Sequence, residues 1–186
     1  GAVACWGSNY GGVLGDGTTA ARGTPVAVAG ITDAIAVGTS EDHTCVVHAT
    51  GTVSCWGING SGQLGDGTNV DSVAPVAVTG LTDAAGIDMH SYQYIGFTCV
   101  TRTGGAVACW GTNFIGDLGD GTTTSSNVPV SVSGLHDVAT TSVGGEYACA
   151  LRMGGGLWCW GSNGFGELGV GSGPSSSSVP VPVAPP

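Results

Sequence analysis

Short apolar runs, each closed by Gly, Pro, Ser, Thr or Asp, recur along the whole chain. Runs of this kind, rich in Val, Thr and aromatic residues, predict β-strands. Around the middle of the chain they predict four: Pro75–Thr79, Ala84–Asp88, Thr98–Thr101 and Ala106–Gly111. The last two strands of each such set make a hairpin whose register follows from its turn. Pairing Cys45 with Cys55 sets Val47 against Val53 and leaves Ala49-Thr50-Gly51 as the loop. The matching loops are Thr103-Gly104-Gly105 and Met153-Gly154-Gly155. Each ends in Gly, as a type I turn followed by a left-handed bulge residue requires. If the loop-closing pair is hydrogen-bonded, the Cys pair is a non-hydrogen-bonded one, with Cα atoms about 4.5 Å apart. That lies just inside the disulfide range of roughly 4.4–6.8 Å. Disulfides Cys45–Cys55, Cys99–Cys109 and Cys149–Cys159 are therefore expected, with Cys5 left as an unpaired thiol. Both faces of the hairpin are apolar: Cys45, Val47, Val53 and Cys55 on one, Val46 and Trp56 on the other. A half-exposed sandwich strand would alternate apolar with polar. Small four-stranded sheets buried on both faces predict propeller blades stacked around an axis.

Internal repeats fix the period. Cys-Trp-Gly recurs at residues 5, 55, 109 and 159. Each copy leads into a near-identical loop: SNYGGVLGDGT, INGSGQLGDGT, TNFIGDLGDGT and SNGFGELGVGS. A Pro-Val run follows at Pro25, Pro75, Pro129 and Pro180. The expected fold is all-β, with about three and a half propeller blades of four antiparallel strands. The chain reads as one propeller segment with units at 1–24 (partial), 25–74, 75–128, 129–179 and 180–186 (partial). In this division the first strand lacks its hairpin partner and Val179–Val183 is a lone strand. The chain is accordingly expected to be part of a longer propeller or repeat array. Further repeats would precede Gly1 and supply a Cys to pair with Cys5.

Gly62, Leu64, Gly65 and Gly67 have equivalents in all four units, and Val37-Gly38-Thr39 leads to His43-Thr44. On these residues the chain resembles the regulator of chromosome condensation repeat family, in a disulfide-bearing, extracellular bacterial-type version. The resemblance spans essentially the whole chain and implies a seven-bladed propeller. It also implies protein recognition, with nucleotide exchange on a small GTPase, chromatin docking and inhibition of β-lactamases as family precedents. Departures are visible: His43 becomes Phe97 and Tyr147, Ser40 stands in for the usual Gly, and Val170 replaces the Asp of Gly-Asp-Gly.

Composition narrows the function. The chain has 186 residues with 36 Gly, three Arg, no Lys and 13 acidic residues, for a net charge of −10. Three Arg cannot form a phosphate-binding face, so nucleic acid is not an expected partner. No apolar stretch reaches the roughly 18 residues a membrane helix needs, so membrane insertion is not expected. Regular Cys pairs point to an oxidising compartment, extracellular or at the cell surface. The leading expectation is a secreted, non-catalytic protein-binding or inhibitor propeller whose partner is a protein. Additional repeats of the same chain, or neighbouring copies, are a second kind of partner. A structural repeat of a fibre or adhesin is the next reading, and a carbohydrate-active propeller enzyme the third.

Candidate sites are few. Asp16, Asp66 and Asp120 in the Leu-Gly-Asp-Gly-Thr loops are weak metal candidates. Calcium needs six to eight oxygens, whereas an Asp followed by Gly and Thr ordinarily organises a turn. No metal and no cofactor is expected. Trp6, Trp56, Trp110 and Trp160 fit packing between blades, with the neighbouring Gly allowing close approach. His43, His48, His90 and His136 occupy different repeat positions, and no nucleophile or zinc motif accompanies them, so no catalytic residue is assigned. Asn59-Gly60-Ser61 is formally a glycosylation acceptor, but its Asn recurs at 9, 113 and 163 without the Ser. The second unit carries four extra residues within Ile87–Phe97. Its Met89, His90, Tyr92, Tyr94 and Phe97 form a candidate binding loop, since Tyr is favoured at interaction hot spots.

Overall fold

The computed structural model describes residues 1–93, 95–171 and 173–185. Fourteen strands are present among them: β1 (Ala4–Gly7), β2 (Arg22–Ala27), β3 (Ala34–Thr39), β4 (His43–His48), β5 (Val53–Gly57), β6 (Ser72–Ala77) and β7 (Ala84–Tyr92), then β8 (Ile95–Arg102), β9 (Val107–Gly111), β10 (Ser126–Ser131), β11 (Val138–Val143), β12 (Tyr147–Arg152), β13 (Leu157–Ser162) and β14 (Ser176–Pro182). They form three four-stranded antiparallel meanders, β3 to β6, β7 to β10 and β11 to β14, preceded by the two-stranded sheet β1-β2. This is the expected three and a half blades.

The hairpins have the register their turns dictate. Cys45 faces Cys55 and Val47 faces Val53, with Cys99 opposite Cys109 and Cys149 opposite Cys159 in the other two blades. Disulfides join each pair across Cα separations of 4.0–4.1 Å. In the first loop the Gly51 N–H donates to the His48 carbonyl, and Gly51 holds φ +81°. A side chain there would be strained.

The sheets divide the repeat at a different point from the expected strand grouping. The Pro-Val strand does not open a new blade; it closes the one before. Thus β6 pairs with β5, and β14 pairs with β13 through Cys159 opposite Val181 and Trp158 opposite Pro182. The run at 179–183 is therefore not a lone strand, and β1 likewise has β2 as a partner through Cys5 opposite Val26. The physical reason is the long Gly-rich loop after each Cys-Trp-Gly. It reverses the chain and returns it antiparallel to the strand just left. The prolines fit this outermost position because an edge strand needs backbone donors on one side only.

The core lies between blades. One cluster packs Val47, Leu64, Met89 and Trp110 between the first and second full blades, and another packs Phe97, Leu118, Ala148 and Trp160 between the second and third. Val28, Ile31, Val46 and Trp56 seal the two-stranded sheet to the first full blade. In the central hairpins β4-β5 and β8-β9 apolar residues on both faces are thereby removed from water, whereas Trp6, Ile35 and Val37 of β1 and β3 stay exposed. Among the described residues no helix is long and apolar enough to cross a membrane.

The extra residues of the second unit are not a loop. They lengthen β7 and β8, with Met89 opposite Thr98, His90 opposite Phe97 and Tyr92 opposite Ile95. The lengthened hairpin is held on both sides. Ser91 Oγ accepts from the Asp42 N–H of the preceding blade and donates to Ser40 Oγ, and Asp88 Oδ2 accepts from Val143 N–H of the following one.

Candidate functional site

Two ends of the blades can be distinguished. One carries the tight turns after β4, β8 and β12. The other carries the β3-β4, β7-β8 and β11-β12 turns together with the long loops that follow Cys-Trp-Gly. The candidate site is at this second, loop-bearing end.

A buried Asn builds each long loop. Asn59 Oδ1 accepts from Leu64 N–H, and its Nδ2 donates to the carbonyls of Thr68 and Val70. Asn9 and Asn113 do the same in their loops. The recurrence of this Asn was the only sequence sign of its role. Asn59 is fully buried with its amide committed, so the Asn-Gly-Ser triplet does not present an accessible glycan acceptor in the folded chain. Each loop then reaches across to the next blade. The indole N–H of Trp56 donates to Val13 O, that of Trp110 to Gln63 O and that of Trp160 to Asp117 O, at 2.8–2.9 Å. All three indoles are fully buried, each against a Gly of the same loop: Gly15, Gly65 or Gly119. Blade packing, as expected, accounts for them. Trp6 is the exception; it has no such loop over it and is exposed.

Asp16, Asp66 and Asp120 are turn organisers. Asp66 Oδ1 accepts from the Thr68 N–H and hydroxyl, both at 2.9 Å, and Asp120 treats Thr122 identically. Asp16 adds Arg22 at 2.7 Å. Its hydrogen bonds to Thr18 and Arg22 lower the Asp16 pKa to about 2. Among the described residues no group of three or more His, Cys, Asp or Glu is placed to hold a metal ion.

His43 and His48 are built into the blades by hydrogen bonds. His43 is buried between blades, with Nδ1 2.9 Å from Ser40 Oγ and Nε2 2.8 Å from Thr98 Oγ1. Burial drives its pKa down to about 3, so it is neutral. His48 stands in a Ser-His-Asp arrangement that the sequence did not reveal. Its Nδ1 is 2.6 Å from Asp33 Oδ1 and its Nε2 is 2.9 Å from Ser54 Oγ. The repeat explains this geometry without chemistry. Arg102–Asp83 and Arg152–Asp137 are the same pair in the next two blades, both ion pairs at 2.7–2.8 Å. Neither His48 nor Ser54 lines the surface hollows described below. His136 is exposed beside Arg152.

Of the candidate binding loop, Met89 and Phe97 are core residues. Met89 points into the first inter-blade cluster, and Phe97 occupies the buried position of His43. Strand alternation is the cause: once the insertion is a strand, Met89 and Ser91 face inward while His90 and Tyr92 face outward. Tyr94 lies outside the described residues. His90 and Tyr92 line a groove of about 520 Å³ with Ile95, Glu146, Tyr147 and Glu167. The last three, supplied by the next blade, were not singled out from sequence. A larger hollow, about 870 Å³, runs between β1 and the first full blade and is lined by Trp6, Tyr10, Val37 and Glu41. Gln93 at the hairpin tip borders both. The Cys5 thiol also borders the larger hollow, and partial burial raises its pKa.

The model of the regulator of chromosome condensation (RCC1) repeat matches residues 1–47 and 104–151, just over half of the chain. A second model of the same repeat matches 34–63. The chain belongs to the RCC1 repeat family. Solved RCC1-like structures superpose on nearly all of it: human WBSCR16 (TM-score 0.80, 21% identity, 97% of this chain) and Prp20p of Saccharomyces cerevisiae (TM-score 0.83, 15% identity, 100% of this chain). Yeast RCC1 (Prp20) bound by Kap60 gives a TM-score of 0.82 at 16% identity over 100% of this chain. The chain spans less than half of each of those proteins, 46%, 47% and 45% respectively. At these identities the likeness establishes the β-propeller fold. No curated protein matches the chain.

Proposed function

We propose that this RCC1-type propeller is a non-catalytic, extracellular or cell-surface protein-recognition module that binds through its loop-bearing end. The observation that carries the reading is a set of aromatic side chains left in water there: Tyr10 67%, Tyr92 61%, Phe114 67% and Phe165 99% exposed. Three of them occupy loop positions where the repeat varies, next to the Asn and Gly that never do. Exposed aromatics on a rigid scaffold are what hot spots are made of. The solved relatives lend support, since the Prp20p study describes binding to Gsp1p and histones, and a second structure shows its complex with Kap60. Three disulfides and the absence of Lys support an oxidising location rather than the nucleus.

The test is affinity enrichment from the fluid or surface fraction of source cells with two variants side by side. Tyr92→Ala/Phe114→Ala/Phe165→Ala should lose a partner that the wild-type chain retains. Met153→Ala/Leu157→Ala, at the opposite end, should retain it. Equal retention by both variants would contradict the reading.

A further inference from the structure

We propose that the groove between the β7-β8 hairpin and the β11-β12 turn is a receptor for an arginine side chain presented by a protein partner. The proposal rests on the protein-recognition reading above and names the chemistry of one contact.

The groove is shaped by two neighbouring blades. The lengthened hairpin supplies His90, Tyr92 and Ile95, and the next blade supplies Glu146, Tyr147 and Glu167. The bonds from Ser91 to Asp42 and Ser40, and from Asp88 to Val143, brace the hairpin wall. Such preorganisation limits the entropy lost on binding.

Charge decides the guest. Every Arg of the chain is already paired with a carboxylate on its own blade: Arg22 with Asp16, Arg102 with Asp83, Arg152 with Asp137, at 2.7–2.8 Å. There is no Lys. Among the described residues Glu146 and Glu167 therefore have no cationic partner, and the Glu167 carboxylate accepts from the Phe165 N–H at 2.8 Å. The negative field extends inward: burial, with a smaller contribution from Glu146, raises the carboxyl of neighbouring Asp117 to about 6. His90 lines the groove beside these carboxylates.

These features fit a guanidinium better than an ammonium. Arginine offers five N–H donors in a planar fork, enough for two carboxylates, and its plane stacks on phenol rings such as Tyr92 and Tyr147. Lysine offers a point charge on a flexible stem.

The 186-residue chain, labelled with ¹⁵N, is titrated with acetyl-Gly-Gly-Arg-Gly-Gly-amide and with its Lys and citrulline counterparts. Saturable shifts are expected at Tyr92, Gly145, Glu146, Tyr147 and Glu167. The dissociation constant should be in the millimolar range, as suits one side chain, with affinity for citrulline lower by about tenfold or more. The Lys peptide should fall between them. Glu146→Gln/Glu167→Gln should weaken the Arg peptide to the citrulline level, whereas Glu41→Gln beside the other hollow should leave it unchanged. Equal binding of Arg and citrulline peptides would overturn the proposal, as would unsaturable shifts spread over the acidic surface. If the Arg peptide fails while the triple aromatic variant still loses its partner, this inference falls and the recognition reading stands.

Discussion

Replacing Gly65 with Ala isolates the packing between blades. Gly65 has φ +67°, and a Cβ built on it falls 2.7 Å from Trp110 Nε1 and 2.9 Å from Cδ1, far inside contact distance. The indole cannot easily retreat: it is fully buried beside Leu64 and donates to Gln63 O at 2.8 Å. Gly80 is the internal control, with φ +72° and nothing within 4 Å of its built Cβ. Both substitutions incur the left-handed penalty of roughly 1–2 kcal/mol. Gly65→Ala adds overpacking of a close-packed interior, typically about 1–3 kcal/mol. The expected losses are about 1–2 kcal/mol for Gly80→Ala and about 2–5 kcal/mol for Gly65→Ala, the difference being the inter-blade contribution. Urea unfolding followed by Trp fluorescence reads both, provided the denaturant slopes agree. Equal losses would refute the idea that the loop glycines exist to seat the next blade's Trp.

The remaining predictions concern titration, cross-links and the Ser-His-Asp arrangement. His43 has a folded pKa of about 3, below its unfolded value. As pH falls below about 6.5 the unfolded chain takes up the proton first, so stability drops by up to about 1.4 kcal/mol per unit. His43→Phe, the residue found at position 97, should flatten that slope in pH-dependent melts, and an unchanged slope would count against the neutral buried imidazole. Asp117 has the opposite sign: its folded pKa of about 6 lies above the unfolded value. Its contribution is complete in acid and is lost as pH rises through 6, so Asp117→Asn should stabilise at pH 8 by about 1–3 kcal/mol. Opening one disulfide with Cys99→Ser/Cys109→Ser should cost on the order of 2–3 kcal/mol in urea melts. A fluorophosphonate probe should leave Ser54 unlabelled, and labelling at that residue would contradict the non-catalytic reading.

The sequence made the hairpins legible because turn glycines and cysteines fix an antiparallel register with no long-range information. The Pro-Val strand was different. A repeat of about fifty residues has a period but no origin, so the pattern cannot say whether that strand opens one blade or closes another. Only the pairing of β6 with β5 decides it. The insertion could have been read further: Phe97 aligns with buried His43, and alternation from Met89 to Tyr92 marks a strand with one inward face. Glu146, Tyr147 and Glu167 lay beyond reach for another reason. They join His90 and Tyr92 only when one blade is set beside the next, and each looks unremarkable within its own repeat. The same is true of Asp33, His48 and Ser54, whose structural role shows only beside the Asp–Arg pairs of the neighbouring blades.

Hydrogen exchange on the chain with and without its recovered protein partner puts the central claim to the most direct test. Recognition through the loop-bearing end predicts slowed exchange in the loops around Tyr10, Phe114 and Phe165, in the Ser40–Asp42 turn and along the walls of the groove at Tyr92 and Glu146. The turns ending in Gly51, Gly105 and Gly155 should exchange as they do in the free chain. Protection confined to those turns, with the loop-bearing end unaffected, would contradict the account.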